Sequence, residues 1–507
     1  MRRRPPPPER SPHLAALARA IHGIVSPFAC GGPLRLEKPL SLLFKGGAEI
    51  TVAPAKDSYQ QGLNNQALVE RCTPARHGRG RQTRYDRSVR DALQLNADGG
   101  AFSVQNFDPQ TSGLLDEIRR RLAPADPNPI TAELYSLNVY QSGGHFIPHK
   151  DTPRGDDMLG TLVVCLPSRF SQGQLVASHH GAHEVFDWGS EIDRDPAPDR
   201  VRWAAFFGDV DHSIERMWGG SRVTVSYILR RGRGAPARPV PPDDLFACTL
   251  EEALEDPDFL SDGDTLSVPC FHMYDHDPRF QKKLVPLTAR TALSLKGRDL
   301  TVARAAMAQG LQVTLCPYLI EDCADERWEL ERFPTSLETS RLSERLTPDR
   351  IEDALPVRHG FGWEEDTALW VLPPPRFNSF PRVRRRDARG NEIDLPDTPA
   401  IEEIHACEYS STGYFGNEGS DSTFYVYAAL QIEVGPAGQR QTTEHLGARV
   451  EPARKAATRV ASAKPKPSAV KATARAATRA PTKKPPATKK QPATKKEAPI
   501  KKWTWRF

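Results

Sequence analysis

A chain of 507 residues exceeds what one ordinary core organises and predicts two or three domains. With 38% hydrophobic and 26% charged residues, and no apolar run of the ~18 residues that a bilayer span requires, an integral helical membrane protein is excluded. The net charge of +5 hides a division: residues 451–507 hold seventeen Lys/Arg against two acids, leaving 52 basic and 62 acidic residues in the first 450.

Residues 1–12, rich in Arg and Pro, predict disorder. The basic N-terminal stretch has no continuous apolar run with a cleavage site, so a secretory leader is not expected. Leu14, Leu17, Ile21 and Ile24 then fall at near-helical spacing. Residues 40–53 read as two strands about Gly46 and Gly47. Over 111–122 a second helix is predicted, with Leu114, Leu115, Ile118 and Leu122 on one face. Its acids Asp116 and Glu117 come early and Arg119, Arg120 and Arg121 late, as the helix dipole prefers. Residues 13–125 are therefore expected to form an N-terminal α+β flank.

From 126 to 232 the texture changes to short strands, expected over 134–140, 161–166, 174–178, 184–187, 203–208 and 222–229. Many short strands without a long helix between them predict an antiparallel sandwich or barrel. RRGRGAPARPVPPDD (230–244) reads as linker, with the domain boundary drawn at 233. Residues 245–446 mix helix and strand as a second α/β domain of unassigned role. In it an Ala-rich helix over 302–309 breaks at Gly310 before a strand over 311–315. Residues 447–507 are low-complexity Ala, Pro, Thr and Lys and cannot build a core. The eight cysteines contain no CxxC pair, which excludes a zinc ribbon and suits a reducing compartment, cytoplasmic, nuclear or nucleoid-associated.

The chemistry lies in the strand-rich segment. In His149-Lys150-Asp151 the outer residues of an extended chain point to one side and can present two ligands to one point. His212 follows an apolar run 61 residues after Asp151, far enough along to supply a third ligand from another strand. Two imidazoles and a carboxylate are the donor set of non-heme Fe(II) oxygenases, which leaves coordination positions open. Arg222 opens a β-branched strand and shares a face with Thr224. A guanidinium beside a hydroxyl matches a carboxylate, because it can hold both oxygens in a fork.

The stretches LYSLNVYQSGGHFIPHKDTPR, GTLVVCLPS and WAAFFGDVDHSIERMWGGSRVTVSY resemble the Fe(II)/2-oxoglutarate-dependent dioxygenases, in their prolyl 4-hydroxylase-like branch. The resemblance implies an α+β chain with a double-stranded β-helix (jelly-roll) catalytic core and flanking helices, followed here by the second domain and the disordered basic tail. It implies that His149, Asp151 and His212 bind iron, that Arg222 holds the distal carboxylate of 2-oxoglutarate beside Thr224, and that Tyr140 lines the co-substrate pocket. The activity implied is hydroxylation of a C–H bond, with a peptidyl prolyl group as one candidate, releasing succinate and CO2. Its cofactors are Fe(II) and 2-oxoglutarate, with ascorbate as an optional addition. Its partners are 2-oxoglutarate, dioxygen and an unassigned protein or small-molecule substrate, with no membrane. SLKGRDLTVARAAMAQGLQVTL and YFGNEG (414–419) are similar to the flanks of long relatives and add no known activity.

The cluster HHGAH (179–183) reads as a solvated loop or pocket rim, and His272 and His276 read as structural, without a third ligand. The alternative to an enzyme is a nucleic-acid-binding protein with a degenerate jelly roll. Its tail would neutralise phosphates without reading sequence.

Overall fold

The computed structural model describes, with side chains, residues 11–79, 82–155, 157–232, 245–275, 284–317, 416–417 and 425–440, and the backbone of short strands between 318 and 424. The expectations for residues 1–10, the linker 233–244 and the tail 447–507 lie outside the described residues.

Eight antiparallel strands make the barrel. They are β1 (Ile130–Gln141), β2 (His145–His149), β3 (Met158–Cys165), β4 (Leu175–His179), β5 (Ala182–Phe186), β6 (Arg200–Phe207), β7 (Asp211–Ile214) and β8 (Met217–Arg231). They divide between two sheets. β6, β3, β8 and β1 are neighbours in the larger sheet, and β5, β4, β7 and β2 are neighbours in the smaller. That is the jelly-roll arrangement, in which each sheet covers the inner face of the other. The larger sheet is extended beyond β6 by Ala29–Arg35 and beyond β1 by Leu93–Asn96.

β1 and β8 show why the sheet can carry a site. Tyr140 lies opposite Arg222 and Asn138 opposite Thr224, and directly opposed residues share a face. The polar set Ser136, Asn138, Tyr140, Arg222, Thr224 and Ser226 therefore lines one face, turned to a pocket. The intervening Leu137, Val139, Val223 and Val225 are buried on the other face. The helix Leu114–Leu122, with its apolar positions inward as the spacing predicts, packs near that sheet. Strand β8 runs on to Arg231, which pairs with Ile130, so the expected linker begins later than 230. The guanidinium of Arg231 is the reason, because it is held by Asp126 at 2.7 Å in a buried pair.

Gly46 and Gly47 take positive φ in the turn between Ser41–Phe44 and Glu49–Thr51, as the Gly-Gly pattern requires. Pro12 opens the first helix, Pro12–Gly23, where its missing N–H costs nothing. That helix buries Leu17, Ala20 and Ile21 in a second core. There it meets the helices Leu245–Glu255 and Gly297–Ala308 and a sheet with Ala428–Val434 between Asp264–Pro269 and Gln312–Glu321. The helix at 297–308 begins before the predicted 302, because Asp299 in its first turn accepts the N–H groups of Phe271 and His272. Six described cysteines are free thiols, and only Cys248 among them is exposed. No helix among the described residues is long and apolar enough to cross a membrane.

Candidate metal centre and co-substrate pocket

A pocket whose open space, counting its mouth, is about 690 Å³ lies between the two sheets. His149, Asp151, His212, Arg222, Thr224 and Tyr140 all line it. The smaller sheet supplies the histidines. His149 closes β2 and lies directly opposite His212 of β7, and their rings stand 4.1 Å apart. Asp151 follows β2, with its N–H donating to the carbonyl of Gly208 at 3.0 Å. His212 Nε2 and Asp151 Oδ1 are 3.8 Å apart.

The backbone sets the orientation of both imidazoles. His149 Nδ1 donates to the Ile147 carbonyl at 2.8 Å and His212 Nδ1 to the Val210 carbonyl at 3.1 Å. A carbonyl can only accept, so the proton sits on Nδ1 in each ring and the lone pair on Nε2, the tautomer a metal ligand needs. Burial and then the neighbouring His212 hold His149 well below the ordinary histidine range, which keeps it neutral. Burial raises the pKa of Asp151, opposed by His212 and by the Thr161 hydroxyl, which donates to Oδ2 at 2.7 Å. Phe146 stacks on His149 with ring centroids 3.5 Å apart, and Phe206 packs on His212 at 4.4 Å. Two imidazoles that each present Nε2 and a carboxylate, each oriented by a second partner, suit a ferrous ion.

Arg222 faces them from the larger sheet. It is 1% exposed, and its Nε and Nη2 have no hydrogen-bond acceptor. Its guanidinium lies over the rings of Tyr140 at 5.3 Å and Trp188 at 5.2 Å. Burial lowers its pKa, yet an arginine stays protonated. A buried cation with two idle donors on the pocket wall fits the carboxylate of an organic acid. Thr224 is buried beside it, one alternation along β8.

Sequence reasoning missed several lining residues. Arg90 is 3% exposed, stacks on Phe146, and donates to Asn138 Oδ1 at 2.9 Å and to Asn417. Arg90 and Asn417 are 327 positions apart, so no local pattern marks them. The Tyr414–Phe415 strand pairs with His77–Arg79 and so delivers Gly416 and Asn417 to the pocket wall.

A second grouping corrects the expectation for His179 and gives His272 partners, while the side chain of His276 lies outside the described residues. His179, Asp209 and His272 bring one ligand atom each to within 4.8 Å of one another, all buried. His149, Asp151 and His212 do not meet that distance in every pair. His179 is thus not on a solvated rim: it is 8% exposed and stacks on His272, with centroids 4.9 Å apart. His272 does have partners, since Asp209 accepts from its Nδ1 at 3.1 Å. The Asp209 carboxylate also accepts from Lys296 Nζ at 2.9 Å and from the Met273 N–H at 2.9 Å. Burial by itself would raise the pKa of Asp209, but Lys296 and His272 outweigh it and hold the carboxylate ionised. An ammonium on the carboxylate repels a divalent cation, so this group is an ion-pair network and the less suitable metal site.

No family model and no curated protein matches the chain. Among solved structures it is similar to a Pseudomonas putida prolyl-4-hydroxylase, at 16% identity over 44% of this chain and 100% of that one, with a TM-score of 0.25. A 2OG-Fe(II) oxygenase family oxidoreductase from Burkholderia pseudomallei is similar at 18% identity over 35% and 81%, with a TM-score of 0.21. A Trichoplax adhaerens prolyl hydroxylase, solved with a hypoxia inducible factor peptide, is similar at 16% identity over 44% and 94%, with a TM-score of 0.23.

Proposed function

We propose that the chain is an Fe(II)- and 2-oxoglutarate-dependent dioxygenase that hydroxylates a C–H bond, with His149, Asp151 and His212 as the iron ligands. The observation that carries this reading is Arg222, a buried guanidinium with two donors unpaired on the wall opposite the two histidines. Fe(II) and 2-oxoglutarate, when bound, supply the dioxygen activation that puts one oxygen atom into the substrate and the other into succinate, with loss of CO2. The protein's part is positional. Nδ1–H bonds to the Ile147 and Val210 carbonyls fix both rings and leave each Nε2 available to a metal. Thr161 occupies one Asp151 oxygen and leaves the other for a metal. Arg222 and Thr224 bind a carboxylate, and the Tyr140 ring covers the guanidinium. A peptidyl prolyl group is the substrate this reading tries first.

The direct test is succinate formation from 2-oxoglutarate by the full chain. It should require iron and vanish in each of His149→Ala, Asp151→Ala and His212→Ala, because each removes one of three protein ligands. Full turnover in any one of them would refute that ligand's assignment.

A further inference from the structure

Both turns that carry the candidate ligands are touched from beyond residue 245. Gly416 donates its N–H to the carbonyl of Lys150, the residue between His149 and Asp151, at 2.9 Å. The space a Cβ on Gly416 would fill lies 3.9 Å from Asp151 Oδ1 and from the Thr152 nitrogen, so this backbone packs directly on the ligand turn. Asn417 accepts from Arg90, Arg90 lies on the Phe146 ring at 4.6 Å, and Phe146 stacks on His149.

The turn at 208–212 carries the other points of attachment. Gly208 accepts the Asp151 N–H, Asp209 comes next, and His212 is three residues further on. Asp209 is completely buried and is bonded by Lys296, His272 and the Met273 backbone, all from the second core or its edge. Lys296 Nζ also donates to the Met273 carbonyl at 3.0 Å and lies over the rings of Tyr274 and Tyr425. The Tyr425 hydroxyl closes the remaining side: a Cβ on Gly208 would be 2.7 Å from that oxygen and 3.8 Å from the Cβ of Asp151. Tyr425 is 3% exposed, and burial together with the charges of Asp151 and Asp209 keeps its hydroxyl protonated.

We propose that two segments from beyond residue 245 clamp the metal centre: Lys296, His272 and Tyr425 are positioning residues for the 208–212 turn, and Gly416 and Asn417 hold the 149–151 turn. The inference rests on the ligand assignment above and gives the second region a task. An eight-stranded barrel leaves both ligand turns at one open end, and here that end is tied down by a carboxylate buried under a lysine. Without Lys296 the Asp209 charge is uncompensated and the turn must move to reach water.

The test uses the full chain, with Co(II) as the probe and two readouts, affinity by titration and the ligand-field absorption spectrum. Lys296→Met should weaken Co(II) binding by about tenfold, on the scale of losing an outer partner of a metal ligand but acting through Asp209 and the turn that carries His212, and should alter the spectrum. Leu250→Ala, in the second core on Leu245–Glu255, should lower Tm and leave both readouts as in the parent. Tyr425→Phe deletes a single oxygen, so it decides the matter if Lys296→Met does not fold, and it too should alter the spectrum. If the spectra of Lys296→Met and Tyr425→Phe equal the parent's, or if Leu250→Ala weakens binding as much as Lys296→Met, the clamp is overturned. If the parent binds no Co(II), or binds it equally after His212→Ala, the ligand assignment falls and the clamp falls with it.

Discussion

Arg222 is costly as it stands. A buried guanidinium with idle donors costs several kcal/mol unless something negative reaches it, and Cys165, first among the neighbours that could help, is kept neutral by its own burial. Removal should therefore leave the fold no worse and the co-substrate site much worse. Arg222→Ala is expected to raise the apparent Kd for 2-oxoglutarate well over tenfold, since losing one partner of a buried charged fork costs about 2–5 kcal/mol, while Co(II) affinity stays near the parent's. Isothermal titration of the metal-loaded variant reads this, and an unchanged affinity would move the carboxylate site elsewhere. Arg222 and Thr224 are legible in the sequence because two polar residues interrupt a β-branched strand at alternate positions. Arg90 is not legible: nothing near it in sequence distinguishes a pocket arginine from the surrounding Arg84, Asp86, Arg87 and Asp91. Its partners Asn138 and Asn417 come from 48 and 327 positions away.

At the scale of elements, the barrel strands with continuous apolar runs fall within a few residues of where the sequence puts them, among them Met158–Cys165 and Arg200–Phe207. Shorter strands escape. His145–His149 and Asp211–Ile214, which carry the two histidines, are rich in polar and aromatic residues and have no alternation to read. Their strand identity is imposed by the ladder between them, a tertiary effect. Ala29–Arg35 is hidden by its Gly-Gly-Pro centre. Gly31 is required there: a Cβ at that position would meet the Trp203 carbonyl oxygen at 2.4 Å and the Phe186 ring at 2.6 Å. Gly31→Ala should accordingly destabilise the fold by about 1–3 kcal/mol through overpacking, measured as a fall in the urea midpoint at constant m-value. No loss of stability would mean that the edge strand shifts freely.

For the whole molecule the governing fact is the charge division, +15 on residues 451–507 and −10 on the rest. All proposed ligands sit on the acidic part. A polycation binds duplexes by releasing condensed counterions, with steep salt dependence and little sequence preference. The acidic remainder is repelled by phosphate within about a Debye length, ~8 Å at physiological salt. Deleting 451–507 should leave 2-oxoglutarate turnover intact and remove most affinity for DNA and RNA. Gel shifts and succinate assays on the truncated chain decide it: retained binding at moderate salt, or collapsed turnover, would show that the tail is not an independent tether. The placement of Pro12–Gly23 in the second core is not legible in the sequence, because an amphipathic helix shows that it has an inner face without naming the surface it covers.

The free thiols have a bearing on durability. Burial pushes Cys30, Cys72 and Cys165 up to about 12, and Cys270 is raised well above its ordinary value. At neutral pH a thiol of that acidity is ionised in roughly one molecule in 10⁵, and the thiolate is the form that peroxide attacks. The sulfur beside the co-substrate site is thus one that oxidants ignore, Cys165 standing directly across the ladder from Thr224. Among the six described cysteines, Cys248, exposed on the helix Leu245–Glu255, is where sulfenic acid should form first when the protein is aged with peroxide, and peptide mapping would find that thiol oxidised with the barrel thiols still reduced.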